Sequence, residues 1–103
     1  MSPAMKQAEC LARLYDFYDA IDAAAAIDDA DQVAWLIGAR GECVDELVAT
    51  TASLPLSDGA KSEIAEHERR LRLQVVRLHD QLFQRLTAQR QRAHAVTRYA
   101  QQA

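Results

Sequence analysis

Breakers are scarce in this chain: 103 residues contain only three Gly and two Pro. Strand formers are scarce too, with six Val, four Ile, four Thr and six aromatic residues. Strands draw on β-branched and aromatic side chains and on frequent turns, so an all-β domain is excluded and a sheet of any kind is disfavoured. No apolar run approaches the roughly 18 residues that cross a bilayer. The start, Met1-Ser2-Pro3-Ala4-Met5-Lys6, lacks the basic-then-apolar order of a secretory signal, so a cytoplasmic protein is expected. Cysteine is limited to Cys10 and Cys43, with no CxxC and no His at metal spacing beside either. Both read as small packing residues. A zinc site would have to gather those two with the scattered His67, His79 and His94, so no metal or cofactor is expected.

What is abundant is helix former: twenty Ala and eleven Leu. Charge is plentiful but segregated. Residues 1–57 carry ten acids against Lys6, Arg13 and Arg40, while residues 58–103 carry nine bases against five acids. From Gln81 onward acids are absent, and Arg85, Arg90, Arg92 and Arg98 remain. Such asymmetry speaks about partners rather than fold.

Three helices are expected, at about 3–27, 30–53 and 59–101, in one domain spanning 1–103. Ser2-Pro3 is a good helix start. The first seam reads Leu11, Leu14, Tyr18, Ile21 and Ala25 at spacings of three and four, flanked by Tyr15 and Phe17. Asp29 with Gln32 has capping-box spacing, which places a break near Asp28. The rival is one unbroken helix from Pro3 to about Ser53, which would put Asp29 and Gln32 in the core.

The second helix is expected to present Val33, Leu36 or Ile37, Arg40, Val44 with Cys43, Leu47, Thr51 and Leu54. Gly38 and Gly41 lie inside it and are expected to admit a bulky neighbour close to the backbone. Arg40 falls on the seam, either as a stem lying along the core or as a positioned ligand group. Pro55 stops this helix, and Ser57 or Asp58 caps the third. The third carries a stripe of Ile64, Leu71, Val75, Leu78, Leu82, Leu86, Ala93, Val96 and Ala100, with Val76 and Phe83 to one side. Glu66 with Arg70 and Glu68 with Arg72 are expected to pair at i, i+4.

Length is the informative feature. The first two helices each reach roughly 36 Å and the third about 60 Å. The expected fold is therefore all-α: an antiparallel three-helix bundle, a long helical hairpin with an overhanging C-terminal helix. An unsupported helix is marginal in water, so the last turns are expected to fray, fold back or bind something.

Catalytic signatures are missing: the chain contains no GxSxG, HExxH, P-loop or Gly-rich fingerprint. Small all-α chorismate mutases resemble the rhythm of Ile27-Asp28 and Leu36 to Arg40, but they need several further cationic groups. Residues 14–60 offer only Arg40. No enzyme is expected. The four distal arginines suit phosphates, and Tyr99 suits base stacking. A pI near 5.5 argues against nucleic acid for the whole chain.

An aromatic-bearing first helix, then Val33-x-x-Leu36-x-x-x-Arg40-x-x-x-Val44-x-x-Leu47, a Pro-containing loop, and Ile64-x-x-x-Glu68-x-x-Leu71 with Leu82-x-x-x-Leu86 follow in order. This arrangement is similar to flagellar export chaperones of the FliT/FlgN type. The resemblance implies a small cytosolic bacterial bundle without enzymatic activity. It would bind a helical segment of a secreted flagellar subunit and deliver it to type III export. By position, it implies a partner-binding groove at Leu78, Leu82, Phe83 and Leu86, continued through Ala93, with Val96 and Tyr99 as a gate. Two other readings remain open at this stage. One is a structural coiled-coil homodimer; the other is a regulatory protein whose basic C-terminal helix binds an acidic partner or nucleic acid.

Overall fold

The computed structural model describes residues 2–102, and these form three helices joined by two short connections. Helix α1 spans Pro3–Ala26, α2 spans Ala30–Thr50, and α3 spans Asp58–Gln102. Among the described residues no strand is present. Among those residues, too, no helix is long and apolar enough to cross a membrane.

Local chemistry sets each boundary. Ser2 Oγ accepts from the Met5 amide at 3.2 Å, satisfying one of the free donors at the start of α1, and Pro3 occupies the first turn. The end of α1 is a Schellman turn. Asp28 N–H donates to Ala25 C=O at 3.1 Å and Asp29 N–H to Ala24 C=O at 3.0 Å, with Asp28 in the left-handed region at φ 55°. Asp29 also caps α2, its Oδ1 accepting from the Gln32 amide at 3.1 Å. One aspartate thus closes one helix and opens the next, which excludes the unbroken-helix alternative.

The expected end of α2 at residue 53 is corrected to Thr50. Thr50 and Thr51 turn their hydroxyls back onto the Leu47 and Val48 carbonyls, each at 2.6 Å, and the amides of Ser53 and Leu54 both turn back onto Thr50 C=O. Such local bonds compete with helix continuation. Ser57, rather than Asp58, caps α3 by accepting from the Ala60 amide at 3.1 Å.

Helix α1 is the centre of the packing. It contributes Cys10, Leu14, Tyr18, Ile21, Ala24 and Ala25 to the core, with Leu14 at 0% exposure. Helix α2 adds Val33, Leu36, Cys43 and Leu47, and α3 adds only Leu71 and Leu78. The first seam is corrected at one position: Leu11 is half-buried, and Cys10 takes the inner place. The apolar arc of α1 is broad, and the smaller thiol fits closest to α2, where Cys43 Sγ reaches Cys10 C=O at 3.5 Å.

Polar pairs define how the helices lie. The start of α1 meets the end of α2 through Gln7, whose Nε2 donates to Thr50 Oγ1 at 3.2 Å and to Leu54 C=O at 2.6 Å, and through the Arg13–Glu46 ion pair. Along α3, partners of α1 advance in step: Glu63 accepts from Tyr15, Arg70 and Gln74 hold Asp22, and Arg77 donates to Ala25 C=O at 2.8 Å. The expected pairs Glu66–Arg70 and Glu68–Arg72 do not form. Glu66 pairs with Arg69, while Arg70 and Glu68 reach across to Asp22 and Arg40. Cross-helix partners lie within 2.9 Å, so the side chains span the helix interfaces instead of lying along the wet face.

The expectation that Gly38 and Gly41 admit a close neighbour is also corrected: a Cβ built at either position meets nothing within 4 Å. Their flank of α2 is open.

Candidate functional site

Two regions have surface chemistry beyond simple packing. The first is the end of the molecule where α3 passes the α1–α2 connection. Arg77 marks that level through Ala25 C=O and its 3.5 Å ion pair to Asp28. One helical turn further on, Leu82 is the last α3 residue to share a recess with α2. That recess, about 180 Å³, has walls of Ala30, Val33, Ala34 and Ile37 on one side and Val75, Leu78, His79 and Leu82 on the other. Its lining is almost wholly apolar and it opens to solvent.

Beyond it, α3 continues unbroken to Gln102, neither frayed nor folded back. Twenty further residues at 1.5 Å per residue project roughly 30 Å, and the molecule is accordingly 75 Å long and about 22 Å across. After Leu78 no described residue is buried.

The seven residues singled out from the sequence fall into two environments. Leu78 is in the core and forms part of the recess wall. Leu82, Phe83, Leu86, Ala93, Val96 and Tyr99 are all exposed, Val96 at 68% and Tyr99 at 78%. At 100° per residue, Leu82, Leu86, Ala93 and Val96 share one face, whereas Phe83 and Tyr99 stand about a quarter turn off it on opposite sides. The structure therefore gathers Leu78 with Leu82 at the recess and strings the others along a free rod.

The second region was not expected from the sequence. His67, which has no evident partner when read along the chain, stacks on Tyr18 with ring centroids 4.6 Å apart and planes within 5°, and it also meets Tyr15 at 5.7 Å. Beside this stack Arg40 Nη1 donates to Glu68 Oε1 at 2.7 Å, both side chains being largely buried. Arg40 is thus a cross-helix anchor. Tyr18 is 2% exposed and its hydroxyl has no hydrogen-bond partner. Burial first, and then the negative charge of Glu68, push that hydroxyl's pKa well above its ordinary value. Burial likewise raises the Cys43 thiol, which disfavours the reactive thiolate. The only available signal for this cluster was the position of Arg40 on an apolar seam, four residues before Val44.

These groups close the packing between helices. Among the described residues no three His, Cys, Asp or Glu side chains come together as metal ligands. The recess and the projecting rod, with their exposed apolar side chains, are the candidate site. In comparisons with known proteins, no family model, curated protein or solved structure matches this chain.

Proposed function

We propose that this protein is a non-enzymatic, cytoplasmic helical chaperone or adaptor of the flagellar type III export kind. In this reading it is an antiparallel three-helix bundle that holds an amphipathic helical segment of a secreted flagellar subunit along α3. The observation that carries the reading is the mismatch of reach: α3 outlasts α1 and α2 by some twenty residues and keeps an apolar stripe with no cover from its own chain. Grooves of this kind read a partner helix through side chains at i, i+3, i+4 and i+7. The recess below Leu82 supplies the pocket for a first anchor, and Leu86, Ala93 and Val96 supply the track.

Truncation after Leu86 tests it. All buried residues precede that point, so the shortened chain keeps its core. Circular dichroism should report a folded, shorter helical protein. A labelled peptide from the helical C-terminal segment of an exported flagellar subunit should bind the full chain and lose binding to the truncated one. Equal binding by both chains, or none by the full chain across the set of exported subunits, refutes the reading.

A further inference from the structure

Resting on the capture reading, we infer that the helix taken up by α3 is acidic on the flanks of its apolar face, and that a second copy of this chain is not the occupant. From Arg69 to Gln102, α3 carries eight arginines and a single acid, Asp80. Three of those arginines are engaged within the bundle, Arg69 with Glu66, Arg70 with Asp22 and Arg77 with Asp28. Four others, Arg85, Arg90, Arg92 and Arg98, lie along the rod. Taking 100° per residue, Arg85 and Arg92 border the Leu82–Leu86–Ala93–Val96 face on one side and Arg90 borders it on the other, each within about 90° of its centre. These are the positions that in a helix pair face the partner's flanking side chains and set partner choice.

Charge decides the occupant. If the rods of two copies lay against one another in either direction, the arginine flanks of one would face those of the other. No acid between residues 81 and 102 could relieve them. Like charges across an interface oppose association, and opposite charges favour it and speed encounter. The acids of this chain lie elsewhere, on the bundle, and several of them already hold arginines. Nucleic acid would satisfy the arginines, but it has no use for the leucine face or for the apolar recess at its base.

The test uses the full chain and two synthetic amphipathic helical peptides with the same leucine face, one flanked by Glu and the other by Lys, read by fluorescence anisotropy. The Glu peptide should bind about tenfold or more tightly than the Lys peptide and weaken as salt rises, since these flanking charges are solvent-exposed. Reversing the flanks with R85E, R90E and R92E together should invert the preference, and L86D should abolish both interactions while circular dichroism stays helical. Equal binding of the two peptides, or no inversion, overturns the acidic partner and leaves helix capture standing. Binding of neither peptide, joined to a silent Leu86 truncation, removes the capture reading as well. Two further results also overturn the inference: tight binding of a DNA duplex that L86D does not affect, and a stable dimer in sedimentation that truncation after Leu86 dissolves.

Discussion

Helix α1 and the final stretch of α3, residues 79–102, are of equal length and in opposite circumstances. Helix α1 places six apolar side chains in the core and meets α2 from Gln7 onward and α3 from Tyr15 to Ala25. The final stretch of α3 buries none. Both are helices because both are rich in residues that favour helix intrinsically, Ala in α1 and Gln, Arg and Ala in the final stretch. Only α1 is held by tertiary burial, which is where most helical stability in proteins comes from. The comparison teaches that one propensity yields a packed scaffold where a neighbour is present and an uncovered arm where it is absent.

The largest expected effect separates the two stretches directly. Leu14→Ala leaves a cavity at a fully enclosed site and should lower stability by about 3 kcal/mol, whereas Val96→Ala should change it by less than about 0.5 kcal/mol. Urea unfolding measures both. If the two substitutions cost the same, the distal stretch is packed in solution and the contrast fails. Amide hydrogen exchange sharpens it: amides of Leu14 to Ile21 should open only with the whole molecule, and those beyond Leu86 far more readily.

Next in size is the strut between α2 and α3. Arg40→Ala strands the largely buried Glu68 carboxylate and should cost about 2 kcal/mol by thermal or urea unfolding. A neutral result would mean that the pair adds nothing net and that Leu71, Leu78 and the contacts of α3 with α1 suffice to hold it.

Smaller, and of opposite sign, is the effect of filling the open flank of α2. Gly38→Ala and Gly41→Ala meet no neighbour within 4 Å, so each should raise stability by up to about 1 kcal/mol through helix propensity. A loss at either position would reveal something lying on that flank.

The smallest effect is pH-dependent. Tyr18 has a raised pKa in the folded protein, so its neutral form is favoured there. Its contribution is complete below the ordinary tyrosine pKa of about 10 and is lost as pH rises above that value toward the folded one. Tyr18→Phe removes an unpartnered hydroxyl, so stability at neutral pH should hold or rise by up to about 1 kcal/mol. The decline above pH 10 should become shallower than in the wild type. An unchanged alkaline decline would assign it to other groups.

Much of this architecture is legible residue by residue. The Asp29–Gln32 spacing locates the α1–α2 break, Pro55 with Ser57 locates the second connection, and the run Leu14, Tyr18, Ile21, Ala25 names the inner face of α1. These signals are local: caps and breakers act within one turn, and a 3.6-residue period marks the side that avoids water. The stripe on α3 has the same period, yet Leu71 and Leu78 are buried while Leu82 and Leu86 are exposed. Periodicity says that a face seeks cover; it does not say how far a neighbour extends.

The partners of charged side chains are less legible still. Arg40 and Glu68 are 28 residues apart, Asp22 and Arg70 are 48 apart, and local spacing offers nearer candidates for both Glu68 and Arg70. The Tyr18–His67 stack joins two helices that share no sequence signal.

From its sequence alone, this chain determines that it is helical, roughly where its helices break, and that its last one is too long for its companions, because propensity, capping and length are properties of neighbouring residues. Which arginine holds which carboxylate, which glycine flank stays open and which leucines remain uncovered were decided only when α3 settled against α1 and α2, because burial and pairing belong to surfaces that meet in space.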